Sequence, residues 1–252
     1  MKRALAAVVV AAALAAGCAG SSDSSRPTLK VAAAASLKKA LTGYGGQFAE
    51  AKTAFSFAGS DQLAAQIEQG APVDVYAAAN TKLPEELYSK GLIEKPVVFG
   101  TNTLVVAVPA GGSKITSLDD LAKKGVKIAA GAPSVPVGSY TQKVLAGLPA
   151  GERKAITDNV VSSEPDVASV VGKVAEGAAD AGFVYITDVK ATDGKLEAIQ
   201  IPASLNPTAA YGAAVVKKTG HEKQARAFLN GLVSGAGQDQ LRQAGFGAAP
   251  AQ

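Results

Sequence analysis

The 252-residue chain has no tryptophan, one cysteine, one histidine and one methionine, and only 5% of it is aromatic. A single cysteine excludes an intramolecular disulfide, a Cys-x-x-Cys redox pair and a cysteine-rich zinc site. A single histidine excludes a multi-histidine metal centre and leaves His221 alone for any catalytic dyad or triad. Charge is sparse too, at 18% of residues, with 25 Lys and Arg against 21 Asp and Glu. The net +4 gives no electrostatic footprint for nucleic acid, so none is expected as a partner. What is abundant is small and apolar: 48% of the chain is hydrophobic. Such a length can bury a sizeable core without disulfides, as one large or two small domains.

Lys2 and Arg3 precede the apolar run Ala4–Ala16. That run is short for a membrane span and suits the hydrophobic region of a signal peptide. Small residues follow, and then the lone cysteine. Leu14-Ala-Ala-Gly-Cys18 resembles a bacterial lipobox, with its leucine one position further from the cysteine than usual. Residues 1–17 are therefore expected to be a removed signal peptide, and Cys18 the lipidated first residue of the mature chain. Ordinary cleavage that leaves a free thiol is the alternative. Residues 18–28 are small and polar and read as a tether. The body is expected on the periplasmic side, outside the cytoplasmic membrane and anchored to it.

Strand and helix signals alternate through the rest. The patterns predict a strand over Leu29–Ala35, a helix over Ser36–Lys52, a strand at Phe55–Phe57, a helix over Asp61–Gln69 and a strand over Val73–Ala78. A strong strand, Thr103–Val108, is stopped by Pro109. Then come a strand at Val126–Ala130, a helix at Gly138–Leu148, a strand from Val160, a helix at Asp166–Gly177 and a strand at Ala181–Tyr185. A strand at Ala210–Val216 and helices at Glu222–Val233 and Gln238–Ala244 complete the chain. This order argues for an α/β fold with largely parallel sheets. It runs twice, over about 29–105 and 126–190, which favours two lobes over one barrel. Ligands in such folds sit beyond the carboxyl ends of the strands.

Those ends carry small and hydroxyl-bearing residues. Ser36 closes the first strand and opens a helix; Ser60 does the same before Asp61–Gln69. Pro136-Val137-Gly138 and Pro165-Asp166-Val167 precede helices in the second block. A helix start offers unpaired N–H groups and the positive end of the dipole, so it suits an anion. Taken singly, Ser36, Ser60 and Asp166 read more simply as N-caps, each worth about 1 kcal/mol.

Taken together, the segments resemble a family. Val31-Ala-Ala-Ala-Ala-Ser-Leu37, Phe55-Ser-Phe-Ala-Gly-Ser60, Gln66–Tyr76, Val135-Pro-Val-Gly138, Glu164-Pro-Asp-Val167 and Gly182-Phe-Val-Tyr-Ile-Thr-Asp188 are similar, in order and spacing, to the periplasmic molybdate-binding proteins of ABC transporters. The similarity runs from about Leu29 to Phe246. It implies a two-lobed periplasmic-binding-protein fold of type II, closing over a tetrahedral oxyanion in a hinged cleft. It further implies Ser36 and Ser60 as hydroxyl and N–H donors from the first lobe, and Val137 and Val167 as backbone N–H donors from the second. Tyr185 is implied as a phenolic donor. Position 137 is often alanine in that family, and a backbone donor tolerates valine if the side chain points away. Asp61 stands where a small neutral residue is common; it is expected to be a first-turn carboxylate facing solvent, or else an added acceptor in the cleft.

The implied function is capture of molybdate, or equally tungstate, and delivery to an ABC permease by a monomer without cofactor or catalysis. Molybdate is fully deprotonated at neutral pH and only accepts hydrogen bonds. Phosphate retains a proton that needs an acceptor, and leaving it unpaired costs about 1–3 kcal/mol. Sulfate must be rejected by size. Lobe I is expected at 29–105 with 209–252, lobe II at 106–208, and the hinge near Val106–Pro109 and Pro207–Ala210. One alternative is a binding protein for phosphate or sulfate, with Asp61 as the acceptor that phosphate would need. A more distant one is a penicillin-interacting serine enzyme, since Ser36-Leu-Lys-Lys39 satisfies S-x-x-K and Lys218-Thr-Gly220 satisfies K-T-G, with Ser60-Asp61-Gln62 a near miss for S-D-N. A metal-ion site is disfavoured: His221 and the pairs Glu85-Glu86 and Asp119-Asp120 read as helix-start residues.

Overall fold

A computed structural model describes residues 26–249. The expected signal peptide, Cys18 and most of the tether lie outside the described residues. The chain opens with β1 (Thr28–Ala34), α1 (Lys38–Gln47), β2 (Lys52–Ala58), α2 (Ser60–Glu68), β3 (Val75–Ala78), α3 (Lys82–Ser89) and β4 (Val97–Asn102). Next come β5 (Leu104–Pro109), β6 (Ile128–Gly131), α4 (Pro136–Ala146), α5 (Ala150–Asp158) and β7 (Val160–Glu164). After these follow α6 (Val167–Ala175), β8 (Ala181–Tyr185), α7 (Ile186–Lys190) and β9 (Leu196–Gln200). The chain ends with β10 (Ala209–Val215), α8 (Glu222–Ser234) and α9 (Ala236–Ala244).

Two five-stranded sheets result, in the orders β2-β1-β3-β10-β4 and β7-β6-β8-β5-β9. Each is mixed: β10 runs antiparallel to β3 and β4, and β5 antiparallel to β8 and β9. The reason lies in the connections. All other strands run toward the junction of the two sheets, whereas β5 and β10 are entered there, straight from a strand of the other sheet. A chain that starts at the junction has to run away from it. Thr103 alone separates β4 from β5, so the first crossing falls upstream of the expected 105/106 boundary and of the hinge expected at Val106–Pro109. Sequence patterning predicts only the strand Thr103–Val108 here and none at Val97–Asn102, because Gly100 and Asn102 are poor strand formers. It also gives no signal for α5, α7 and β9, which are short.

Helices cover both faces of the first sheet, so its central strands are nearly all apolar. In β1 the residues Val31 to Ala34 are all buried. On one face Leu63, Ile67, Tyr76, Leu87 and Ile93 form a cluster with α2 and α3. On the other, α8 turns Ala225, Phe228 and Leu232 inward, at the helical spacing of a buried stripe. Phe228 packs against Tyr44 at 4.6 Å and Phe48 at 5.4 Å between ring centroids. In α9, Gly237 lies flat on the Tyr44 ring, where a Cβ would sit 2.9 Å from a ring carbon.

Phe228→Ala should remove about 3–5 kcal/mol of stability, the cost of an unfilled aromatic site. Denaturant unfolding of the full chain followed by circular dichroism measures it.

Candidate functional site

The parallel pairing of β1 with β2 aligns Ala34 with Ala58. Ser36 and Ser60 each lie two residues beyond that pair, so the two hydroxyls emerge at the same height. In the second sheet Gly131 of β6 aligns with Glu164 of β7, and α4 and α6 begin just beyond. The two sets of strand ends face each other across a small cavity. Ser36, Ser60, Val137, Val167 and Tyr185 all line it, together with small residues and Asp166. All five residues implied by the family resemblance are thus brought together, and no Lys, Arg or His is among the lining residues.

The donors are held individually. Ser60 is the first residue of α2 and is 1% exposed. Its hydroxyl oxygen accepts from the Ala79 N–H at 3.1 Å, and its carbonyl accepts from the Tyr76 hydroxyl at 2.7 Å. Ser36 lies in a short 3-10 turn, Ala35–Leu37, and its Oγ is 2.9 Å from the Tyr211 hydroxyl. Neither serine side chain caps a helix, so the N-cap reading fails for both. It holds for Asp166, whose carboxylate accepts from the Ser169 N–H at 2.8 Å. That carboxylate is committed to α6 even though the residue borders the cavity.

Val137 and Val167 stand in the first turns of α4 and α6, where no earlier helix carbonyl reaches their N–H groups. Neither N–H donates to another backbone group among the described residues. The valine at 137 is accommodated by a glycine: a Cβ on Gly131 would lie 2.5 Å from Val137 Cγ1. The side chain therefore turns back onto β6 and leaves the amide clear. Tyr185 is 1% exposed, and its hydroxyl has no hydrogen-bond partner among the described residues. Burial raises its pKa well above the ordinary phenol value, so it stays a neutral O–H. An orphaned buried hydroxyl at the wall of a cavity is a group shaped for a guest.

Asp61 is not among the lining residues. It is half-buried rather than solvent-facing, with Oδ1 enclosed and unpartnered beside Gly59. Gly59 lies against the second lobe: a Cβ there would stand 2.5 Å from the Pro165 carbonyl oxygen. The pieces of the serine-enzyme pattern are scattered. The Lys39 ammonium pairs with Asp193 at 3.4 Å on the surface. Lys218 follows the end of β10 that aligns with the start of β3, opposite the cavity, and Thr219 is tied to Asp74 there. Among the described residues no cluster of three or more His, Cys, Asp or Glu is placed to hold a cation.

Patterning missed four residues that shape the site: Gly59, Asn102, Asp188 and Tyr211. Gly59 and Asp188 stand in segments that carry the family resemblance, and Tyr211 is the one aromatic residue in the strand Ala209–Val215.

The comparisons with known proteins agree with this geometry. Residues 29–247 match the family described as bacterial extracellular solute-binding protein. The molybdate-binding protein ModA of Mycobacterium tuberculosis is 37% identical over 225 residues, covering 87% of this chain and 84% of the relative. A putative ABC transporter substrate-binding lipoprotein of Bacillus subtilis, YvgL, is 31% identical, covering 92% and 93%. Among solved structures, the periplasmic molybdate-binding protein of Azotobacter vinelandii superposes with a TM-score of 0.79 at 25% identity, covering 88% of this chain and 100% of that one.

Asp188 gives the site a pH signature. Its carboxylate accepts the Tyr185 N–H at 2.9 Å. Burial, with a smaller push from Asp166, raises its pKa to about 7. The folded chain therefore holds a proton that the unfolded chain releases near pH 4. This group's contribution to stability is complete below that pH and is lost as pH rises to about 7. Asp188→Asn keeps an acceptor for the Tyr185 N–H and removes the ionisation. Thermal unfolding of the full chain from pH 4 to 8 should show a smaller decline for the variant than for the wild type.

Proposed function

Because this chain belongs to the family of bacterial extracellular solute-binding proteins, we propose that it captures molybdate outside the cytoplasmic membrane and delivers it to an ABC permease. The observation that carries this reading is the composition of the cavity wall. It presents helix N-termini, two serine hydroxyls and an unpartnered buried phenol, with no cationic side chain. Such a wall suits an ion that only accepts hydrogen bonds. Hydroxyl and amide dipoles, fixed by the fold, stabilise the charge without the reorganisation that water would need. Each helix terminus contributes about 0.3–1 kcal/mol when exposed, and more when buried.

Tungstate has the charge and nearly the size of molybdate and should bind alike. Hydrogenphosphate brings an O–H that this wall leaves unpaired, at about 1–3 kcal/mol. Sulfate, which is smaller, cannot reach donors spaced for longer metal–oxygen bonds. The lobes supply donors from both sides, so the ion favours the closed arrangement, and the permease is the partner that reads it. Closure turns on Thr103 and on the return segment 201–208. The chain works as a monomer, with Cys18 as its lipid anchor on the periplasmic face of the membrane, and without a cofactor or a chemical step.

Isothermal titration of the full chain should show tight binding of molybdate and tungstate, with sulfate and phosphate much weaker. Tight phosphate binding with no molybdate response would overturn the reading. Ser60→Ala should weaken molybdate binding by about 1–3 kcal/mol. Gly59→Ala places a methyl against the Pro165 carbonyl. It should weaken molybdate binding several-fold and leave the molybdate-bound protein less compact in small-angle scattering, with the thermal midpoint of the free protein little changed.

A further inference from the structure

A buried polar chain lies behind the cavity. The Ser36 Oγ is 2.9 Å from the Tyr211 hydroxyl. The Asn102 amide donates to that hydroxyl at 3.3 Å and to Thr187 Oγ1 at 2.8 Å. The Asn102 Oδ1 accepts from the Thr103 N–H at 2.9 Å. Exposure along the chain is 8% at Ser36, 0% at Tyr211, 3% at Asn102 and 4% at Thr187. Asn102 is the last residue of β4, at the crossing between lobes, and Thr187 lies two residues beyond Tyr185 in the second lobe. None of Tyr211, Asn102 and Thr187 lines the cavity.

The chemistry gives this chain a direction. The Thr103 N–H claims the amide oxygen of Asn102, so its nitrogen faces Tyr211 and Thr187, and an amide nitrogen only donates. The Tyr211 oxygen is therefore an acceptor toward Asn102. Its own hydrogen has Ser36 Oγ as the remaining bonded partner. Burial raises the Tyr211 pKa well above the usual value, so that hydrogen is retained. Were Ser36 to donate instead, the Tyr211 O–H would have only the Tyr185 hydroxyl beside it to turn to, and the cavity would keep Tyr185 but lose Ser36 as a donor, so a guest that only accepts hydrogen bonds favours the first arrangement. Ser36 thus receives a hydrogen bond from behind, and its own hydrogen is left to point into the cavity.

We propose that Tyr211 and Asn102 are positioning residues that orient the Ser36 hydroxyl as a hydrogen-bond donor and so select oxyanions that carry no proton. The inference rests on the oxyanion reading of the cavity and extends it to residues that touch no ligand. A guest with an acceptor oxygen at Ser36 completes the chain. A guest that presents an O–H there meets another hydrogen.

The test is a double-mutant cycle read by molybdate titration of the full chain. Tyr211→Phe should weaken binding by about tenfold, as the loss of one directing hydrogen bond. In a Ser36→Ala background the same change should cost less than about twofold, because Tyr211 acts only through Ser36. Sulfate and phosphate competition against molybdate gives a second readout: Tyr211→Phe frees Ser36 to rotate and should narrow the sulfate-to-phosphate preference. A packing role for Tyr211 would give the full loss in both backgrounds and weaken both competitors alike, and that result would overturn the proposal. Asn102→Ala carries the same expectations if Tyr211→Phe loses its cooperative thermal transition. A wild-type chain that takes up no oxyanion removes the oxyanion reading and this inference with it. A wild type that binds molybdate with additive losses removes this inference alone.

Discussion

An anion can be held in a cavity without a counter-charge only if its hydrogen-bond donors are fixed before it arrives. Mobile donors would turn toward the protein or toward water, and the ion would have to recruit them against that preference. Here the fixing is done by helix starts at the carboxyl ends of parallel strands. Each first turn has N–H groups that the helix itself cannot satisfy, and the sheet registers bring these turns to a common level. The need for small residues follows. Ala34, Ala35, Ala58 and Ala79 border the cavity because larger side chains would hold the termini away from the ion.

The same constraint explains the odd strand in each sheet. The two lobes have to be joined where they face each other, so the crossings emerge at the cavity end and β5 and β10 run away from it. This puts Asn102 and Tyr211 directly behind the binding wall. A hinge in such a place does more than connect: its polar groups can set the direction of a serine hydroxyl while they bridge to the lobe that carries Tyr185. Gly59, at the cavity wall, meets the Pro165 carbonyl of the other lobe through its backbone rather than through a side chain.

Much of this was legible in the residues. The alternation of strand and helix patterns pointed to the two-lobed α/β fold, the small and hydroxyl residues at the strand ends pointed to helix starts at Ser36 and Ser60, and the family resemblance implied the set Ser36, Ser60, Val137, Val167 and Tyr185. What escaped was of two kinds. Short elements such as α7 and β9 have too few residues for a periodic signal. Residues such as Asn102, Asp188 and Tyr211 owe their importance to partners distant in sequence: Tyr211 meets Ser36 across 175 residues. Asp61 was misjudged for a related reason. A first-turn carboxylate usually faces solvent, whereas here Oδ1 is enclosed beside Gly59.

The sequence alone determined which chemistry was available. One histidine and one cysteine excluded multi-histidine and cysteine-rich metal centres, and local patterning placed hydroxyls and backbone amides at helix starts. Tertiary structure decided the rest: that donors from two sheets face one cavity, that Val137 turns aside onto Gly131, and that a tyrosine without a local motif stands behind Ser36. Local patterns act over a few residues, whereas the direction of a buried hydrogen bond depends on every group packed around it.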